Sequence, residues 1–224
     1  MIPESFFPKE VDDDRPGKLI TNKAGEYPKK LRIGVYDQTI LCQECEQRFN
    51  RVDNYAQKVL LENESKHREL RHEDLVYGYE LDSYDYPQLK SFFISLLWRA
   101  SISTHAFYRR ISLGPYESIA LDMFKSEDPI PPDSFSVILA KFDHPYGKSM
   151  LCPISTKFSG INYNQFYLGG YIAYIKTDNR PTPKPFSELM LSPNLPLKII
   201  SREFLVSKEY PLFLKVVSAQ HNWP

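Results

Sequence analysis

From Glu44 onward the apolar positions fall into a helical rhythm. Cys45, Phe49, Val52, Ala56, Val59 and Leu60 stand at i, i+4, i+7, i+11, i+14 and i+15, one face of an α-helix predicted to run from Cys45 to Glu62. Glu44, Arg48, Arg51 and Lys58 fall on the solvated face. A second stretch, "QLKSFFISLLWRASISTHAFYRR", places Leu89, Phe93, Leu96, Leu97, Ala100 and Phe107 on a buried stripe. Its centre, residues 92–98, is apolar on nearly every side, the pattern of a helix surrounded by protein. Gly114-Pro115 then interrupts. Pro115 suits the first position of a third helix, "PYESIALDMFK", where its missing N–H would be unpaired anyway. "SEDPIPPDS" ends that helix and sets the expected internal boundary near residue 127.

Beyond residue 133 the rhythm shortens to that of strands. "FSVILAKF", "MLCPIST", "QFYLGGYIAYIK", "LKIISREFLV" and "LFLKVV" are separated by Gly-, Pro- and Asn-rich turns. Gly169-Gly170 inside one of them predicts a bulge or a close backbone approach. Residues 1–39 read as irregular structure or a short hairpin turning at "NKAGE", and "LRIGVYDQTILC" as one strand. "NESKHRELRHEDLVYGYELDSYDYP" reads as a short helix or loop and then a connection ending at Tyr86-Pro87. The expected class is α+β. An N-terminal segment and helical region over 1–127 precede a β-rich region over 128–224, the two forming separate units or one continuous domain.

Composition narrows the function classes. With 224 residues, 42% hydrophobic and 14% aromatic, the chain can bury a substantial core. Lys+Arg and Asp+Glu are both 28, so the net charge is zero. A dedicated nucleic-acid binder normally carries a basic excess, because phosphate neutralisation supplies much of its affinity. No basic segment leads into an apolar one at the start, and "FFISLLW" is far short of the roughly 18 residues of a membrane span. Three cysteines make no disulfide framework. The expectation is a cytoplasmic protein with no membrane association and a protein partner.

Candidate chemistry centres on "ILCQECEQRF". Cys42 and Cys45 form one C-x-x-C pair, half of the four-ligand shell of structural zinc. Cys152, His67, His72, His105 and His144 lack paired metal-ligand spacing; His67 and His72, among charges, read as solvated. A redox reading fits less well, because Glu44 and Glu46 would raise the thiol pKa values and no βαβ context surrounds them. Cys152 reads as a small buried hydrophobe on a strand, and His105 and His144 as structural histidines. Trp98 reads as core, and Arg99 as reaching out or pairing with an acid. "YGYELDSYDY" is either a protein-binding edge or a solvated loop. No G-x-S-x-G, P-loop or G-x-G-x-x-G occurs.

Taken in order, "MIPESFF", "LCQECEQRFNRVDNYAQKVL", "YDYPQLKSFFISLLWRASIS" and "ISLGPYE" give residues 1–125 a resemblance to uncharacterised bacterial proteins related to the HNH endonuclease family. The resemblance implies a treble-clef zinc knuckle held by two C-x-x-C pairs, of which Cys42 and Cys45 match the second. It also implies a catalytic His just before the stretch matching Met1-Ile2-Pro3-Glu4. The first pair and the His have no counterpart here, and losing a general base removes about 10²–10⁴-fold of catalysis. The resemblance thus leads to two expectations. One is a degenerate, non-catalytic binding or assembly protein in bacterial defence or nucleic-acid processing, with no catalytic residue, and with zinc only at partial occupancy or in a shared site. The other is a metal-dependent endonuclease completed by upstream residues or another chain.

Overall fold

The computed structural model describes residues 1–7, 17–19, 29–31, 43–126, 128–148 and 150–221. β1 (Gly17–Leu19) and β2 (Lys29–Leu31) pair antiparallel as a small separate sheet, so the early hairpin is present, with its "NKAGE" turn outside the described residues. The strand expected over "LRIGVYDQTILC" lies outside them beyond Leu31. α1 (Gln43–Gln57) continues into a π-helical turn, Lys58–Glu62, close to the span its periodicity predicts.

The charged stretch after it departs from expectation. It opens with the short helix expected, a 3-10 turn at Glu64–Lys66, but then forms a hairpin of β3 (Arg68–His72) and β4 (Leu75–Leu81) in place of a connection. β3 is a sheet edge, so it carries charge on both faces and gives no hydrophobic alternation to read. α2 (Tyr86–Ile102) starts where the sequence says, because Asp85 caps it by accepting from the Gln88 backbone N–H at 3.0 Å. It stops at Ile102, and Phe107 and Tyr108 are buried from a following turn rather than from the helix. α3 (Tyr116–Lys125) begins one residue after Pro115.

β5 (Val137–Phe142), β6 (Ile154–Phe158), β7 (Ile161–Leu168), β8 (Tyr171–Lys176) and β9 (Leu197–Arg202) complete a seven-stranded sheet in the order β3-β4-β9-β5-β8-β7-β6. Neighbours are antiparallel except β5 and β9. Strands from both sides of residue 127 therefore share one sheet, and the class is α+β. Gly169-Gly170 proves to be the turn joining β7 to β8, with φ +60° and +100°, not a bulge. The expected close approach is there, since a Cβ on Gly169 would sit 3.3 Å from the Phe6 carbonyl oxygen. The last apolar run, "LFLKVV", is not a strand. It belongs to α4 (Tyr210–His221), where Tyr210 and Phe213, three residues apart, both meet Phe204. A short apolar run does not distinguish strand from helix; the available surface decides.

Alternation along the strands divides two cores. Val137, Leu139, Phe166, Ala173, Ile175 and Ile199 face α1, α2 and α3. Ile138, Ala140, Tyr163, Ile172 and Tyr174 face the other way, toward Phe204 and α4. α2 is the centre of the first core, and its residues 92–97 are fully buried. Trp98 lies at the rim, partly buried and stacked on Phe49 at 5.9 Å. Arg99 pairs with an acid, as one reading held: it donates two hydrogen bonds to Asp53 of α1, at 2.8 and 2.6 Å. Among the described residues, no helix is long and apolar enough to cross a membrane.

Candidate functional site

The proline-rich segment after α3 turns the chain back so that Asp133 overhangs the end of β8. A pocket of about 230 Å³ opens there. Tyr116, Ile119 and Met123 of α3 form an apolar wall, and Asp133, Lys176 and Asp178 supply the charges.

Asp133 Oδ1 accepts from Lys176 Nζ at 2.8 Å, from the Thr182 backbone N–H at 2.9 Å and from Thr182 Oγ1 at 2.5 Å. Burial alone would raise the Asp133 pKa, but the Lys176 and Thr182 donors outweigh it and hold the carboxyl below its usual value. Oδ2 accepts no hydrogen bond from a described residue, and the side chain is 46% exposed. Lys176 itself is buried and donates also to the Arg180 carbonyl at 2.8 Å. Thr182 Oγ1 extends the chain of contacts to Ser136 Oγ at 2.8 Å. Behind them the Tyr163 hydroxyl is buried near Thr182 and Ser136, without a hydrogen bond of ordinary geometry to any described residue.

Lys90 enters from α2. Its fully buried ammonium donates to the carbonyls of Pro132 (3.1 Å) and Phe135 (2.9 Å), fixing the loop that carries Asp133. Burial pushes Lys90 down to about 7, the Lys176 charge adds to the effect, and Asp133 opposes it. At the far side Asp178 is fully engaged with Arg180 and Asn162, and those donors depress its carboxyl strongly. Charge across the pocket is thus balanced pairwise, and one carboxylate oxygen stays unused.

The residues singled out from the sequence lie elsewhere. Cys42 is outside the described residues; Cys45 is in the first turn of α1, and its side chain is outside them. His67 is not solvated but buried, its Nε2 on the Val59 carbonyl at 3.0 Å and its Nδ1 3.4 Å from the Tyr171 hydroxyl. Burial lowers its pKa, favouring the neutral ring. His72 is exposed, as expected. His105 and His144 are structural: each Nδ1 accepts a backbone N–H two residues on, at 3.1 and 3.2 Å. Cys152, expected buried on a strand, is exposed and precedes β6. Tyr79, Tyr84 and Tyr86 of "YGYELDSYDY" are drawn inward, with Tyr84 and Tyr86 donating to the Ser192 and Ile130 carbonyls.

Sequence reasoning missed Lys90, Asp133, Lys176 and Thr182. The two lysines had a signal: Lys90 interrupts "QLKSFF" and Lys176 closes "YIAYIK", each beside apolar residues where a charge must find partners. Among the described residues no group of three or more His, Cys, Asp or Glu could hold a metal ion. No protein family, curated protein or solved structure matches this chain.

Proposed function

We propose that this chain is a non-catalytic binding module built on a degenerate HNH-like scaffold, and that it grips a protein partner at the pocket between α3 and β8. The observation that carries this reading is Asp133. Three donors at Oδ1 hold the carboxylate ionised and oriented, Oδ2 accepts from no described residue, and Asp133 lines a pocket with an apolar wall. Such a site suits a side chain with an apolar stem and a hydrogen-bond donor at its tip, as Arg and Lys have. Because Lys176 balances Asp133, recognition rests on that hydrogen bond and on contact with Tyr116, Ile119 and Met123 rather than on net attraction.

The direct test is titration with agmatine, an alkylguanidine, followed by NMR. Saturable shifts confined to the pocket and lost in Asp133→Asn support the reading; no shift at tens of millimolar sinks it. A second reading, an HNH-type endonuclease completed by another chain, is favoured by the resemblance of the Cys42-Cys45 segment. Plasmid and single-stranded DNA cleavage with Mg²⁺, Mn²⁺ or Ni²⁺, lost in a Cys42→Ser, Cys45→Ser variant, would establish it.

A further inference from the structure

The outer edge of the seven-stranded sheet is a five-residue strand, Arg68-Glu69-Leu70-Arg71-His72. Among the described residues β3 pairs with β4 alone. The bulge in this hairpin lies on β4: Leu70 faces Gly78 and Arg71 faces Val76, so Tyr77 is the extra residue. β3 itself is regular, and the main-chain groups that alternate residues turn away from β4 pair with no described strand. An exposed row of this kind is a template for another strand.

Edge charges usually guard against such pairing, because most registers oppose like charges. Here the sequence is self-complementary in one register. In a two-fold antiparallel pairing, directly opposed residues lie on the same face, so the axis must pass through a residue position. An axis at Leu70 sets Leu70 against its own copy and Glu69 against Arg71 twice over. An axis at Glu69 opposes two glutamates, and one at Arg71 opposes two arginines. Within one chain Arg71 and Glu69 already meet at 2.6 Å, both about half exposed, so each can exchange its neighbour for the equivalent residue across the axis. Next to this edge Leu75 is 68% exposed and Tyr77 51%, apolar surface that the chain's own helices leave uncovered.

We propose that β3 is a homodimerisation edge, and that two copies of this chain pair antiparallel about Leu70 to join their sheets into one. The pairing adds about four to six main-chain hydrogen bonds and two reciprocal Glu69–Arg71 ion pairs. It is independent of the pocket reading and leaves the pocket open.

The test is mass by light scattering, with the full chain and charge-reversal variants. Wild type should run at twice 26.2 kDa. Arg71→Glu and Glu69→Arg, each opposing like charges at two places, should run as monomers with unchanged circular dichroism. Mixed together they should form a dimer, and the double reversal Glu69→Arg, Arg71→Glu should dimerise by itself. A monomeric wild type at about 100 µM, a dimer indifferent to the single reversals, or no recovery on mixing would each overturn the proposal. Hydrogen exchange on wild type gives a second readout should a single variant unfold. The β3 amides must slow as protein concentration rises, and exchange independent of concentration refutes the pairing.

Discussion

Lys90 Nζ lies 2.9 Å from the carbonyl oxygen of Phe135, a residue held at φ +47°. A bulky side chain disfavours that left-handed backbone, and the ammonium beneath helps to fix it. The same lysine reaches the Pro132 carbonyl, so one buried charge ties α2 to the loop that presents Asp133. The charge is itself held at the cost of desolvation, and this gives the first prediction.

The folded-state pKa of Lys90 is about 7 against 10.5 free. Between these values the unfolded chain binds a proton that the folded chain does not, so this group makes stability rise with pH and leaves it lowest below about 7. Lys90→Met removes the contribution. The stability of wild type relative to Lys90→Met should grow by about 1.4 kcal/mol per pH unit between about pH 7.5 and 9.5. Urea denaturation of both proteins across that window measures it, and parallel curves would show that Lys90 is charged throughout.

Asp53 and Arg99 form a buried, bidentate pair between α1 and α2, with side chains 11% and 6% exposed. Removing one member strands the other charge in the core. Asp53→Ala should therefore cost about 3–5 kcal/mol, whereas the double change Asp53→Leu, Arg99→Met should recover much of it. Thermal melts of the two variants decide; equal losses would mean that the pair contributes no more than its packing.

Phe93 and Trp98 lie on the same helix but differ in depth. Phe93 is fully buried, and Phe93→Ala should cost about 3–5 kcal/mol. Trp98 is only partly buried against Phe49, so Trp98→Ala should cost clearly less. Chemical denaturation ranks them, and a reversed order would mean that the Phe49–Trp98 stack holds α1 more firmly than burial implies.

One C-x-x-C pair fills half of a zinc shell. The chain held monomeric by Arg71→Glu is therefore expected to carry well below one zinc per chain by elemental analysis. Stoichiometric metal in a monomer would bring in ligands beyond Cys42 and Cys45. Half-stoichiometric metal confined to a dimer would indicate a site shared between copies.

The amino-acid sequence determined the elements whose signal is local. α1 and α2 carry a helical stripe, and α2 in addition has Asp85 to cap it, so where they start and which faces they bury follow from periodicity and capping, though not that α2 ends at Ile102. β5, β7, β8 and β9 are apolar enough to declare themselves as strands. What tertiary structure decided is where a local pattern is mute. β3 is charged because it is an edge, and its strand state depends on β4 and, through β4, on β9. "LFLKVV" is helical because Phe204 offers a surface to Tyr210 and Phe213, a choice its own residues do not make. The pocket was legible least of all. Asp133, Lys176, Thr182 and Lys90 are brought together from positions up to 92 residues apart, counting from 90 to 182. Their charges become chemistry only when burial removes water and leaves each group to find its donor or acceptor in another element.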